Sequence, residues 1–369
     1  MNNLMNVPYV QLEIGETSYK GKLLSAVDRV LTHGKYILGP EVEAFEKQFA
    51  QHCGTKYALG VDNGTNAIIL SLLALGIGPG DEVITAPNSY LASASSIALA
   101  GAMPVFVDVR DDFNIDPEKI EAAITPRTRA IIPVHLTGRP AEMDVILEIA
   151  RRHNLKVIED CAQAVGAAYK GRRVGSYGDT GCFSLHPLKN LAATGDGGVI
   201  TTNDTDVYNY LLKARNHGLR NRDECDFWSY NSRLDTIQAA MLLVKMEYLD
   251  EWTEKRRHNA AFYQSRLANV VKCPEDSSDY YSVYHTFIVR APKRDQLLSY
   301  LEERGIGSKV HYPIPIHLQR AAASLGYGKG SFPVTEAQTE TILSLPVYPE
   351  LSDDQLGYVA SNILKFYGQ

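Results

Sequence analysis

"RAIIPVHLTGRPAEMDVILEIARRHNLKVIEDCAQA", residues Arg129 to Ala164, reads as a strand, a helix and a second strand. "RAIIPVHL" is a short apolar run. "AEMDVILEIARRHN" is long enough for a helix and gathers its charged residues on one face, and "LKVIEDCA" is again short and apolar. The alternation extends upstream: "KYALGV", "GDEVITA" and "MPVFVDV" read as strands, with "NAIILSLLALG" and "SYLASASSIALAG" as the helices between them. Repeated strand–helix–strand units predict an α/β fold, a mainly parallel sheet covered on both faces. In such sheets ligands collect at the carboxyl ends of strands.

Downstream the pattern changes. After strand-like "GCFSLH" and "GVITTN" comes "RLDTIQAAMLLVKMEYLDEWTEKRRHNAAFYQSRLA", one long helix or two with a boundary near Glu251 to Arg257. The remainder, "SVYHTFIVRA", "RDQLLSYLEERG" and "GSKVHYP", reads as strand, helix, strand. This predicts a large domain over residues 1–252, including an N-terminal arm, and a smaller α+β domain over 253–369.

The formal charge of −6 argues against a broad nucleic-acid or anionic-membrane surface. The longest apolar run, Ala67 to Gly78, is too short to span a bilayer, and the first residues lack the basic start and apolar core of a secretion signal. Cys53, Cys161, Cys182, Cys225 and Cys273 are dispersed and odd in number, without a Cys-x-x-Cys pair. Neither a disulfide framework nor a metal site is expected, and a cytoplasmic location fits.

Three stretches carry chemistry. "VDNGTNAIIL" puts Asn63, Gly64 and Thr65 between a strand and a helix, where free N–H groups and a hydroxyl suit a phosphate; a plain helix cap is the other reading. "LKVIEDCAQA" ends an apolar strand on Glu159 and Asp160, with Gln163 close behind. A carboxylate there needs a cation if it is buried, and otherwise caps a helix at the surface. In "FSLHPLKNLAATGDGG", Phe183 to Gly198, the glycines follow Lys189, the reverse of a nucleotide-binding P-loop. A lysine held beside a carbonyl compound can lose its proton and form a Schiff base. A phosphate seat, a carboxylate for a pyridinium and an amine for an aldehyde together describe pyridoxal 5′-phosphate. "GIGPGD", Gly76 to Asp81, imitates a dinucleotide fingerprint but follows a helix and precedes a strand, so it is a turn.

"YILGPEVEAFE", "DNGTNA", "VIEDCAQAVGA", "FSLHPLKN", "GDGG", "YNSRLD" and "VHYPIPIH", in that order, resemble the DegT/DnrJ/EryC1/StrS sugar aminotransferases, members of the type I pyridoxal-phosphate fold. The resemblance implies that Lys189 forms the Schiff base, Asp160 pairs with the pyridine nitrogen and Gln163 meets the ring hydroxyl. It further implies that Gly64, Thr65 and Ser184 hold the phosphate and that Tyr90 stacks on the ring. Asn231 would reach the phosphate from the neighbouring subunit, which implies a homodimer with shared active sites. The implied substrates are a nucleotide-linked ketosugar and glutamate, with His186, Arg233, His311, Tyr312 and His317 lining the sugar pocket. Ser232 stands where several relatives carry an aromatic residue, which bears on sugar preference.

Other readings are a free keto-sugar acid or cyclitol as substrate, a non-catalytic binding or regulatory protein on the same fold, and a dehydratase. Lys189 with its Asp, Gln and Ser partners argues against the last two, and the misplaced glycine fingerprint argues against a nicotinamide dehydrogenase.

Overall fold

Alternate residues of the central strands bury on opposite faces of one sheet, as a period of two requires. Val83, Ala130, Ile132 and Ile158 pack with Ile68, Leu72 and Ile97 on one side. Ile84, Ile131 and Val157 pack with Met143, Ile146 and Ile149 on the other. The computed structural model, which describes residues 5–15 and 17–369, arranges seven strands in the order Tyr57–Val61, Gly198–Thr202, Thr180–Ser184, Lys156–Asp160, Thr128–Ile132, Glu82–Thr85 and Met103–Phe106. Gly198–Thr202 runs antiparallel to both neighbours, and the remaining neighbours pair in parallel. The expected mainly parallel α/β sheet is present. Among the described residues no helix is long and apolar enough to cross a membrane.

The helix Met143–Arg152 shows why the opening stretch is legible: Met143, Ile146, Ile149 and Ala150 are buried, while Arg151 and Arg152 face solvent. The helix Gly64–Ala74 is different. Six consecutive residues from Ala67 to Leu72 are buried, because it lies between the sheet and its neighbouring helices.

Two expectations are corrected. The long helical stretch is two helices, Thr236–Met246 and Leu249–Leu267, and the break falls at Glu247–Tyr248 rather than between Glu251 and Arg257. No glycine or proline marks it. Tyr248 and Trp252 instead pack on Tyr19 of the helix Ser18–His33, so tertiary contacts set the turn. "GSKVHYP" forms only an isolated bridge, Lys309 to Ser344, rather than a strand. Pro313 and Pro315 carry no N–H, which keeps the ladder from continuing. The partner of the strand Phe287–Arg290 is Ile342–Leu345.

The C-terminal layer has its own core, with Tyr263, Phe287, Leu297, Leu343, Leu356 and Ile363. Val7 belongs to it, held by Val7 N–H to Gly305 O at 2.8 Å and Gly307 N–H to Val7 O at 2.8 Å. The start of the chain, assigned from sequence to the large domain, thus packs with residues past 253. Asp108 ties the two layers by accepting from Val334 N–H at 3.0 Å, Thr335 N–H at 3.0 Å and Thr335 Oγ at 2.8 Å.

Candidate active site

The site assembles at the carboxyl ends of Tyr57–Val61, Lys156–Asp160 and Thr180–Ser184. Asn63 caps the helix Gly64–Ala74 by accepting from Asn66 N–H at 2.8 Å. The capping reading therefore holds, yet the cap uses only Asn66. Gly64 and Thr65, at the first helical positions, have N–H groups with no acceptor inside the helix. Gly64 is required by close approach: a Cβ there would lie 2.8 Å from Ser184 Cβ and 3.1 Å from Ser184 Cα. The helix start and the hydroxyl of Ser184 thus form one cradle.

Glu159 and Asp160 point to opposite faces of their strand and do different work. Glu159 is fully buried and accepts from Gly175, Tyr177 and Gly178 N–H at 2.8, 2.7 and 2.8 Å. His135 Nδ1 accepts from Ala141 N–H at 2.9 Å, so its proton sits on Nε2, which donates to Glu159 at 3.1 Å. His135, Glu159 and Cys161 lie close enough to hold a metal ion. Both nitrogens of His135 and both oxygens of Glu159 are already engaged, however, and burial pushes the Cys161 thiol far above its usual range. The cluster is an anchor for the turn after the strand.

Asp160 is 4% exposed and reaches the site with both oxygens engaged once. Oδ1 accepts from Ala162 N–H at 3.1 Å and Oδ2 from Ser93 Oγ at 2.7 Å, and Ser93 in turn accepts from Ser89 Oγ at 2.9 Å. The two serines form a hydroxyl chain that orients the carboxylate. Sequence reasoning missed both. Both lie in "SYLAS", but Ser89 precedes the helix Ala92–Leu99 that carries Ser93, so no shared helical face marks the pair. Gln163 Oε1 accepts from Thr137 N–H at 2.7 Å, and its Nε2 lies 3.4 Å from Tyr312 Oη.

Lys189 follows the strand Thr180–Ser184 in a turn closed by Lys189 N–H to His186 O at 2.8 Å. Burial lowers its ammonium from the ordinary 10.5 to about 8, against the opposing charge of Asp160. A neutral amine is therefore within reach at physiological pH. Tyr90, 58% exposed, is no core residue; its ring lies 5.7 Å from that of Tyr312. His311 stacks near Tyr9, and its Nδ1 is 2.8 Å from Ser344 Oγ. Burial, then the Lys189 charge, lowers His311 to about 4.

The other sequence candidates are placed as follows. His186 and Asn231 are exposed. Arg233 donates to Asn216 Oδ1 at 2.8 Å, and Ser232 donates to Asp62 beside the phosphate turn. His317 is buried, 3.0 Å from Glu336 Oε1 and edge-on to Phe332, and so is occupied within the C-terminal layer. A cavity of about 200 Å3 lies elsewhere, between Asp112 and Glu275. Lys272 and Arg290 at its rim are paired with Asp111 at 2.6 and 3.1 Å, so it offers no free charge beside the amine.

A helix N-terminus with a hydroxyl, a buried oriented carboxylate and a lysine that can shed its proton fit pyridoxal 5′-phosphate group by group.

Comparison with known proteins gives the same answer. The model of the DegT/DnrJ/EryC1/StrS aminotransferase family matches residues 18–364. A "Pleiotropic regulatory protein" of Geobacillus stearothermophilus is 45% identical, covering 98% of this chain and 99% of its own. The dTDP-3-amino-3,4,6-trideoxy-alpha-D-glucose transaminase of Streptomyces venezuelae is 44% identical over 95% of this chain and 93% of its own. A crystal structure of S. venezuelae DesV in complex with a ketimine intermediate superposes with a TM-score of 0.96 at 42% identity, covering 99% of both chains. Other solved neighbours hold the cofactor in its pyridoxal or pyridoxamine form.

Proposed function

Since the chain belongs to the DegT/DnrJ/EryC1/StrS aminotransferase family, we propose that it moves an amino group from glutamate to a nucleoside-diphosphate ketosugar, with pyridoxal 5′-phosphate as cofactor. The observation that carries this reading is Lys189, an amine lowered to about 8 and within the field of Asp160. Sugar-aminating relatives are named for an amino group, or the ketone it replaces, at carbon 3, so a 3-ketosugar is the substrate we assign.

When bound, the cofactor supplies a carbonyl that carries the amino group and a ring that takes up electrons from the substrate carbon. Gly64, Thr65 and Ser184 would hold its phosphate, Gln163 would meet the ring hydroxyl, and Tyr90 would stack on the ring. Asp160 keeps a proton on the ring nitrogen, and Ser93 keeps Asp160 in place. Lys189 Nζ takes the proton from the substrate carbon and returns it on the other side of the transfer. Arg233, Tyr312, His311 and His186 line the substrate side, and His317, buried against Phe332 and paired with Glu336, does not.

Asn231 completes the phosphate seat of a second copy. The surface supports a homodimer: Trp228 is 95% exposed, and Tyr36, Ile37, Leu38, Leu91 and Tyr230 expose further apolar area. Five unpaired cysteines suit a reducing cytoplasm. The relative named as a regulator raises the reading of a non-catalytic protein, but a purely structural lysine gains nothing from a costly desolvated amine beside Asp160.

The test incubates the protein with glutamate and a panel of 3-keto and 4-keto nucleotide sugars and reads product masses. A 3-amino product is expected; no amination across the panel would overturn the reading. Light scattering should report a dimer that Trp228→Glu weakens.

A further inference from the structure

The turn that carries Lys189 runs from the end of one strand, Ser184, to the start of the next, Gly198. Its near side is pinned by Asn190 Nδ2, which donates to Val283 O at 2.9 Å. Its far side is pinned by one helix, Thr236–Met246. Gln238, Met241 and Lys245 lie at steps of three and four along that helix and so share a face. All three meet the turn. Gln238 Oε1 accepts from Thr194 N–H at 2.8 Å, and its Nε2 donates to Thr194 O at 3.1 Å. One side-chain amide thus pairs with both backbone polar atoms of a single residue. Met241 Sδ accepts from Thr194 Oγ1 at 3.6 Å, and Lys245 Nζ donates to Ala192 O at 2.7 Å.

Lys245 is the group that needs a reason. It is 7% exposed, and among the described residues no carboxylate pairs with it. Burial lowers its ammonium from 10.5 to about 8, with nothing acting the other way. A buried, unpaired cation is costly, and an apolar side chain of similar length would fill the position without that cost. What the amine alone supplies is a donor for Ala192 O, three residues after Lys189. The two lysines do not act on each other by charge: Asp160 opposes the burial of Lys189, and burial alone acts on Lys245. Lys245 therefore reaches Lys189 through the backbone.

We propose that Lys245 and Gln238 are positioning residues for Lys189, holding the far side of its turn so that its amine meets the cofactor's aldehyde and the substrate carbon. The proposal rests on the aminotransferase reading and adds to it the groups that aim its lysine. The turn's own bond, Lys189 N–H to His186 O, fixes only its local shape. Leu191 and Ala193 pack with Ala239 and Leu242 of the same helix, but apolar contacts have no direction. The hydrogen bonds at Ala192 and Thr194 do have one, and they set where the turn sits on the helix. A reacting group displaced by about 1 Å can lose about 100-fold in rate, so this placement matters to the chemistry.

The test reads the aim of the amine separately from the cofactor seat. Apoprotein is mixed with pyridoxal 5′-phosphate, and condensation of the Lys189 amine with the aldehyde, which releases water, is followed by absorbance. Affinity for pyridoxine 5′-phosphate, which has an alcohol in place of the aldehyde and cannot condense, is measured by calorimetry. Lys245→Met should slow condensation ~10–100-fold and lower kcat with KM for both substrates unchanged. Its affinity for the alcohol and its urea midpoint at pH 7 should not fall, because the lost hydrogen bond is offset by the removal of a desolvated charge. Gln238→Leu should slow condensation and kcat in the same way, and it keeps the test valid if Lys245→Met does not fold. Unchanged condensation in the variants, or slower condensation matched by an equal loss of affinity for the alcohol, would overturn the proposal. Slower condensation in variants of a protein that aminates no sugar would keep the positioning role and refute the aminotransferase reading. Amination by both variants at the native kcat would do the reverse.

Discussion

Replacing Lys189 by Met should make the cofactor-free protein more stable at neutral pH while abolishing its activity. The ordinary lysine value is 10.5 and burial takes Lys189 to about 8. At 1.36 kcal/mol per pH unit, that gap corresponds to about 3 kcal/mol of folded-state penalty. The side chain keeps some contact with solvent in the single chain, which makes this figure an upper bound. Below about 8 the amine is protonated in both folded and unfolded states, and the full penalty applies. Between about 8 and 10.5 the unfolded chain binds the extra proton, so stability rises with pH there. Above 10.5 both states are neutral and the penalty is gone. Met matches the shape of the side chain without its charge. Lys245, also lowered to about 8, titrates in both proteins and cancels in the difference. Urea unfolding of both apoproteins from pH 6 to 11 measures it: Lys189→Met should gain up to ~3 kcal/mol at pH 7, shrinking to nothing near pH 10.5. A variant that is no more stable at pH 7, or whose advantage does not vary with pH, would refute the claim that the amine is desolvated.

Ser93→Ala removes the 2.7 Å hydrogen bond to Asp160. It should weaken cofactor binding ~10-fold and lower the pH at which the bound ring loses its proton, read by absorbance titration; an unchanged titration would deny Ser93 its positioning role. Gly64→Ala drives a Cβ against the Ser184 backbone. It should cost ~1–3 kcal/mol of cofactor affinity with the fold intact, seen as faster release by fluorescence. Glu159→Gln breaks a fully buried anchor holding His135 and three backbone N–H groups. It should lose ~3–5 kcal/mol of stability in denaturant titration, whereas a loss of activity without a loss of stability would show the anchor reading to be wrong.

The groups legible from sequence are those whose surroundings are local. Asp160 ends an apolar strand, Gly64 opens a helix, and Lys189 sits in a turn after a strand, so periodicity and neighbouring residue types locate each of them. The groups that act on them were not legible, because they come from distant parts of the chain. Ser93 lies 67 positions from Asp160, and Ser89, which donates to Ser93, is four positions further away. The helix break at Tyr248 was illegible for the same reason, being decided by Tyr19 across the fold, whereas the strand that stops at Lys309 is cut short locally by Pro313 and Pro315.

By itself, then, the order of residues determined the alternating sheet and the three chemical groups of the site, since both depend on spacing along the chain. Only the tertiary structure decided what holds each carboxylate: Glu159 is locked by His135 and three backbone N–H groups, and Asp160 by Ser93 and Ala162. It also decided that Lys189 is desolvated. Burial and charge pairing depend on what packs around a group, and that is settled when the sheet and the C-terminal layer meet.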